Sequence, residues 1–287
     1  MKRHSDMADG PHSAVATTPV DALILAADRG PDDAVTAFTG APCKALAPVG
    51  GIVMLDRVLA ALQQSQRIES LYLAGPSRQV MATQPARMAQ FARAGYHWFD
   101  SAESPSASAT RVLKRIPADR AVLLTTADHA LLNARIVADF LDGALAQPVD
   151  VVVGLVRLPD VQARFPGMRR TATRLADGPF CGCNLFAFTT HEGRQLARFW
   201  RRVERERKKP WRVISGALGW RAVVRYLLGR LTLDQALGRL SRRLGVRVGA
   251  VILEHPEAAV DVDKPDDWRF AEAFLREREQ IETAHVC

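Results

Sequence analysis

The feature that most constrains the fold is an unbroken apolar run near the start of the chain, which ends abruptly in a polar loop. Residues 22–27 are all apolar, and Asp28, Arg29 and Gly30 follow them at once. A short run without polar alternation predicts a strand that is buried on both faces. The loop then leads to an isolated cation, Lys44. A strand that opens into such a loop can offer backbone N–H groups and a cation to phosphates.

Apolar runs and amphipathic segments alternate through the first half of the chain. Residues 71–74, 121–126 and 149–156 have the length and composition of buried strands. Residues 54–64 and 134–146 have helical periodicity, and Asn133 is placed to cap the second of these helices. This alternation predicts an α/β fold with a mostly parallel sheet covered by helices on both faces.

The rest of the chain is organised differently. We expect strands at 182–188, 246–253 and 259–262, and a last helix over 266–281 that begins just after a proline. Between them, residues 195–245 predict a basic helical insertion with tryptophans. Residues 1–18 are small and polar and are expected to be a disordered lead, which leaves residues 19–287 as one domain.

Composition limits the setting and the partners. The 287 residues are 48% hydrophobic and carry a formal net charge of +8, so a packed core and an attraction to polyanions are both expected. Four irregularly spaced cysteines favour a reducing, cytoplasmic setting. No run reaches about 18 apolar residues, so no membrane-spanning segment is predicted. No nucleic-acid recognition module is visible, so nucleic acid is not an expected partner.

Three carboxylates fall where a parallel sheet binds ligands. Asp128 follows the strand at 121–126, while Asp261 and Asp263 are two apart in a predicted strand and so share a face. Carboxylates gathered at one edge favour a hard cation, and Mg²⁺ held by carboxylates and substrate phosphates is the natural occupant. Lys44 then serves as a point charge on the phosphates. The simpler alternative is that each aspartate caps a helix and that Lys44 is a surface charge.

Signatures of other nucleotide enzymes and hydrolases are missing. The first strand is not followed by Gly-x-Gly-x-x-Gly, and the sequence around Lys44 lacks the Gly-Lys-Ser/Thr of a P-loop. The Gly-x-Ser-x-Gly elbow of the α/β-hydrolases does not occur either. Dinucleotide-binding, Walker-type and α/β-hydrolase folds are therefore not expected.

Three segments, taken in order, resemble the signature of the MobA-like nucleotidyltransferases, which are related to the molybdenum-cofactor, sugar-phosphate and cytidylyl transferases. These segments read LILAADRG…CKALAPVGGIVMLDRVLAAL, TTADHALL and AVDVDKPDDW. The resemblance covers about residues 20–190 and 246–275. It implies a Rossmann-like sheet of the glycosyltransferase-A type.

The resemblance also implies a reaction: attack of a phosphorylated acceptor on the α-phosphate of a nucleoside triphosphate, CTP or GTP, with release of pyrophosphate. Lys44 and Asp128 would be catalytic, and Asp128, Asp261 and Asp263 would hold Mg²⁺. By position in the family, the nucleotide would contact Ala26, Ala27, Asp28, Arg29, Gly30, Lys44, Ser106 and Ser108, and the acceptor would contact Arg169, Arg170 and Asn184.

Departures from the family pattern keep two other functions open. Asp28 stands where the family loop has a glycine, and the Arg-Met of that loop is absent, which leaves room for a non-catalytic nucleotide-binding descendant. A nucleotide-sugar glycosyltransferase is the other alternative, although only Asp128 occupies the place of its Asp-x-Asp. The aromatic and basic residues of 195–245 suit a membrane interface, which would make the acceptor a lipid head group and the protein peripheral at the inner membrane face. The alternative, which we favour, is a helical subdomain that packs on the sheet or forms a dimer contact.

Overall fold

The computed structural model describes residues 18–27, 33–197, 199–200 and 225–284, with side chains to residue 280. Three sequence-based expectations lie wholly or mostly outside these ranges: the disordered lead at 1–18, the loop residues Asp28, Arg29 and Gly30, and the tryptophan-containing part of the predicted insertion.

The main sheet is mostly parallel, as the sequence predicts. In spatial order its strands are β10, β7, β9, β6, β1, β4 and β5, and β8 pairs with β9 at the side. The antiparallel pairings of this sheet within the described residues are those of β9 with β6, β7 and β8. The strands are β1 (Val20–Leu25), β4 (Leu71–Ala74), β5 (His97–Phe99), β6 (Ala121–Thr126), β7 (Val151–Arg157), β8 (Thr173–Leu175), β9 (Gly178–Phe188) and β10 (Val248–Ile252), with a separate small hairpin of β2 (Pro48–Val49) and β3 (Ile52–Val53).

Helices lie on both faces of this sheet, and two separate apolar clusters fill the two interfaces. The amphipathic period at 54–64 gives a helix with these bounds, whose buried face includes Leu55, Val58 and Leu62. The helices are α1 (Ala34–Thr39), α2 (Met54–Gln64), α3 (Arg78–Ala82), α4 (Pro85–Arg93), α5 (Pro105–Leu113), α6 (Ala134–Leu145), α7 (Leu158–Arg164), α8 (Leu233–Leu244) and α9 (Pro265–Ala284). None of the helices in the described ranges combines the length and apolar content that a bilayer crossing requires.

Two local predictions are wrong. The small and serine-rich residues of 100–108 predict a loop, but the stretch is helical from Pro105 onward, because Ser104 caps the first turn of α5 and Pro105 fits its first position. The strand expected at 259–262 is instead the end of a 3-10 helix (Pro256–Ala259) followed by extended chain without a sheet partner. Val262 there donates its N–H to the carbonyl of Asp128 at 3.0 Å. This bond ties the late acidic segment to the end of β6.

Candidate active site

Lys44 lies at the centre of the site, between two carboxylates that are distant in sequence. It begins a 3-10 helix (Lys44–Leu46) and is only 6% exposed. Its Nζ is 2.6 Å from Asp128 Oδ2 and 2.6 Å from Asp263 Oδ1. Burial alone would lower the pKa of Lys44, but the charges of Asp128 and Asp263 outweigh burial and raise it. The ammonium is therefore charged and is held by two carboxylates at once.

Asp128 reaches this position because it follows β6 at the carboxyl edge of the sheet. There, Ala127 donates its N–H to the carbonyl of Leu25, which joins the ends of β6 and β1. Asp128 Oδ2 binds Lys44, whereas Oδ1 is buried and has no hydrogen-bond partner in the part of the chain that the structure describes. A buried carboxylate oxygen without a partner is costly, so a missing ligand is expected at this atom.

Asp261 is held apart from that pair by other groups. Arg170 forms an ion pair with the Asp261 carboxylate and donates to its backbone carbonyl, and Asn184 Nδ2 donates to Asp261 Oδ2 at 3.2 Å. Asn184 has a φ of 50° and lies where the pairing of β7 with β9 shifts register. Such a bulge re-aims a side chain, and here it turns the amide of Asn184 toward Asp261. Arg170 and Asn184 thus contact an expected metal ligand.

Asp263 is positioned by a helix cap that the sequence analysis missed. Asp267 Oδ2 accepts the backbone N–H of Asp263 at 3.2 Å and that of Lys264 at 3.0 Å. This is the reciprocal half of a capping box at the start of α9, with Pro265 in the first turn. The signal was present in the sequence as an acidic residue two positions after a proline that opens a helix.

A cleft of 940 Å³ opens beside the acidic centre. It lies between α9 and the chain that runs from α7 to β9, and its walls include Asp261 and Asp263. Arg169, which the sequence predicts at the acceptor, is exposed and lines this cleft together with Arg170. The cleft therefore joins two predicted acceptor-binding residues to two predicted metal ligands.

The remaining predicted nucleotide contacts have different outcomes. Ala26 and Ala27 follow β1 at the same edge of the sheet, and Ala26 donates its N–H to the carbonyl of Ala74. Ser106 and Ser108 are 1% and 0% exposed in α5. Ser108 Oγ accepts the N–H of Ala102 at 2.9 Å. Both hydroxyls are therefore buried in α5 and not displayed on a loop, and their contact with the nucleotide stays a prediction.

The donor set suits a hard divalent cation. Asp128 and Asp263 each bring an oxygen to within 2.6 Å of one nitrogen, so the two oxygens can be no further apart than the sum of those distances. In the described ranges, no three His, Cys, Asp or Glu side chains form a group that could hold a metal. Two carboxylates completed by substrate phosphates are the usual surroundings of Mg²⁺, and the unpartnered Asp128 Oδ1 is consistent with such a ligand.

Several solved structures of other proteins are similar to this chain. A hypothetical transferase from Thermus thermophilus is 29% identical, with a TM-score of 0.70 over 86% of this chain and 99% of its own. Two further solved structures share the fold at lower identity. A 4-diphosphocytidyl-2C-methyl-D-erythritol synthase from Anaerococcus prevotii is 12% identical, with a TM-score of 0.53 over 91% of this chain and 99% of its own. A CMP:2-keto-3-deoxy-manno-octonic acid synthetase complexed with CTP is 15% identical, with a TM-score of 0.52 over the same shares.

No curated protein matches the chain. The profile of the MobA-like NTP transferase domain, however, matches residues 22–248, which is most of the chain and includes Lys44, Asp128 and Asn184. The chain belongs to the family of MobA-like NTP transferases and is a nucleotidyltransferase.

Proposed function

We propose that this protein transfers a nucleoside monophosphate from CTP or GTP to a phosphorylated acceptor, with Mg²⁺ as cofactor, and releases pyrophosphate. The observation that carries the proposal is the buried ammonium of Lys44 at 2.6 Å from both Asp128 and Asp263. A cation with two carboxylates at the carboxyl edge of a parallel sheet is suited to bind a triphosphate and its metal.

Each residue then has a definite task. Lys44 places a positive charge on the phosphates, and the backbone from Ala26 to the loop of Asp28, Arg29 and Gly30 supplies N–H donors. Asp128 and Asp263 hold Mg²⁺, which when bound neutralises charge on the phosphate oxygens. Asp261 is the third carboxylate at this edge of the sheet, and its bonds to Arg170 and Asn184 hold it in place. The acceptor lies in the adjacent cleft near Arg169.

The chemistry needs little from the protein beyond positioning and charge. The acceptor phosphate is itself the nucleophile: one of its oxygens forms a bond to the α-phosphorus, and the bond to the departing pyrophosphate breaks. Holding these groups in line, in a site where charges are fixed in advance, lowers the barrier without a general base. We place the Lys44 ammonium at the phosphates, where it stabilises the negative charge that develops on the leaving group.

A turnover assay tests the proposal. The full chain with Mg²⁺ is given each of the four nucleoside triphosphates and a panel of phosphorylated sugars, polyols and lipid head groups, and pyrophosphate release is measured. We expect release with CTP or GTP only when an acceptor is present. Asp128→Asn should lower kcat/KM by about 100-fold or more, since it removes a charged ligand from the centre.

The same assay separates the alternatives. Release of UDP from a UDP-sugar would indicate a glycosyltransferase. A rise in melting temperature with nucleotide and no turnover with any acceptor would indicate a non-catalytic nucleotide-binding protein. Either result would contradict the proposed transfer.

We also propose peripheral contact with the inner face of a membrane and a cytoplasmic location. In the described end of the insertion, Leu227 and Leu228 are 76% and 62% exposed, next to the exposed cations Arg225 and Arg230. Apolar side chains flanked by arginines suit an anionic lipid surface. Cys43, Cys181 and Cys183 are buried and are not in disulfides, which is in keeping with a reducing compartment.

Vesicle sedimentation tests the membrane contact. We expect the wild type to bind phosphatidylserine-containing vesicles more strongly than phosphatidylcholine vesicles, and the double variant Leu227→Ser, Leu228→Ser to bind several-fold less. The variant Ile252→Ser, at an exposed apolar position on the edge strand β10, is the matched control. Equal binding by wild type and the double variant would remove this proposal and leave the catalytic one intact.

A further inference from the structure

The cleft is lined by four carboxylates and four cations, and only some of the cations are held in ion pairs. Its four carboxylates, Asp261, Asp263, Asp266 and Asp267, all have partners in the structure. Two of its four cations are also committed, because Arg170 binds Asp261 and Arg269 binds Asp266 at 2.7 Å. The other two cations, Arg169 and Lys264, therefore decide the net charge that a ligand meets.

Arg169 and Lys264 are both exposed, and neither side chain has an ion pair with any residue in the described ranges. Lys264 directly follows Asp263 and lines the same cleft, and it takes no part in the ion pairs of Lys44 with Asp128 and Asp263. Two uncommitted cations in one cleft favour a ligand with an anionic group at that place.

Gly182 lines the floor of the cleft, which we define as the β9 side, and it places no side chain there. It lies within β9, where a side chain such as valine would be favoured, and its φ is not in the left-handed region. A Cβ built at this position would meet no atom within 4 Å. Neither a left-handed backbone nor close packing therefore calls for glycine here. Gly182 pairs with Leu155 at the edge of the register shift in β9, and a strand glycine marks either such a bulge or a close approach of a ligand.

The wall opposite is apolar. Phe270 and Ala273 line the cleft from α9, across from β9, and Met168 adds an apolar side chain on the β9 side. Phe270 is half-buried and Ala273 is exposed. An apolar portion of a ligand could thus pack between this wall and the bare strand at Gly182.

We infer that the acceptor carries two anionic groups joined by an apolar portion. Its phosphate faces Asp263 and Lys44, its apolar portion crosses β9 at Gly182, and its second anionic group is bound by Arg169 and Lys264. Gly182 and Lys264 are specificity-determining residues in this arrangement. The inference rests on the proposed function, because it takes the cleft to be the acceptor site.

Ligand-observed NMR titration tests the inference with three probes. These are inorganic phosphate, phenyl phosphate and 4-carboxyphenyl phosphate, each added to the full chain with Mg²⁺ and non-reactive α,β-methylene CTP or GTP. We expect the carboxylate to strengthen binding at least fivefold over phenyl phosphate at low salt, and less at high salt because the cations are exposed. The double variant Arg169→Gln, Lys264→Gln should reduce that advantage to below twofold. Lys114→Gln, at an exposed lysine that directly follows α5 and does not line the cleft, should keep it.

The variant Gly182→Val tests whether the apolar portion of the ligand crosses β9 at Gly182. We expect both aromatic probes to bind at least tenfold more weakly, with inorganic phosphate changed less than twofold and the melting temperature preserved. Gly182→Ala should give a smaller loss. Equal binding of the two aromatic probes to the wild type would overturn the second anionic site, and unchanged aromatic binding to Gly182→Val would overturn the path over β9. Pyrophosphate release is measured separately, so failure here with turnover intact leaves the proposed function standing.

Discussion

At the scale of single residues, the ammonium of Lys44 lies between the carboxylates of Asp128 and Asp263 and supplies the positive charge that they need. Two carboxylates this close would repel each other if nothing positive lay between them. A metal that binds the same oxygens must therefore compete with the lysine, and a triphosphate gives that lysine a new partner. Metal and nucleotide are expected to bind better together than either does alone.

Replacing Lys44 should expose this competition. We expect Lys44→Met to bind Mn²⁺ in the absence of nucleotide at least tenfold more tightly than the wild type, because the ammonium no longer occupies the space between the carboxylates. Mn²⁺ titration followed by electron paramagnetic resonance measures the affinity. Lys264→Met removes a neighbouring exposed charge and should change it less than twofold. If Lys44→Met bound Mn²⁺ no better than the wild type, Asp128 and Asp263 would not be the metal ligands.

At the scale of elements, the start of α9 fixes the backbone of a site residue. Asp267 accepts the N–H groups of Asp263 and Lys264, and its other oxygen lies 3.9 Å from Arg170. We expect Asp267→Ala to lower the free energy of unfolding by about 1 kcal/mol, as for other caps, and to weaken binding of Mg²⁺ with nucleotide. Asp267→Asn, which can still accept those bonds, should recover most of the stability in urea unfolding. Equal losses from both variants would contradict the capping role.

The opposite end of the sheet depends on Asp150, just before β7. Its carboxylate accepts from the backbone N–H and the guanidinium of Arg247 and from Thr190, and the bonds to Arg247 hold its pKa low, at about 2. Because the folded pKa lies below the unfolded value of 3.8, the contribution to stability is present above that value and is lost as the pH falls toward 2.

We therefore expect Asp150→Asn to destabilise the protein by about 2 kcal/mol at pH 7 and by much less near pH 2. Urea unfolding of both proteins across this range measures the difference. Asp142→Asn is the control, because its carboxylate is 59% exposed and pairs with Arg67 only at the surface, so a change below about 0.5 kcal/mol is expected. A difference that stays constant with pH would show that the Asp150 charge is not responsible.

At the scale of the whole molecule, periodic sequence patterns predicted most helices and strands of the sheet, but they did not predict which side chains contact each other in the site. The strand at 71–74, the helix at 54–64 and the cap at Asn133 follow from local apolar spacing and turn chemistry, and the structure has them. The buried serines and the 3-10 helix at Pro256–Ala259 were missed, because small residues and short turns carry no period. The split between Asp263, bound to Lys44, and Asp261, bound to Arg170, depends on long-range packing.

The site joins segments 84 and 219 residues apart, so ligand binding should stabilise the fold as a whole. With Mg²⁺ and α,β-methylene CTP or GTP at 100 times its dissociation constant, we expect the wild type to gain about 2.7 kcal/mol, seen as a rise in melting temperature. Asp263→Asn should lose most of the gain that Mg²⁺ adds, because one of its two carboxylate ligands is gone. Asp266→Asn is the control, because Asp266 directly follows Pro265 and its exposed carboxylate pairs with Arg269 at the surface. This variant should keep the gain. If Asp263→Asn responded to Mg²⁺ as the wild type does, the late acidic segment would be part of the fold but not of the nucleotide site.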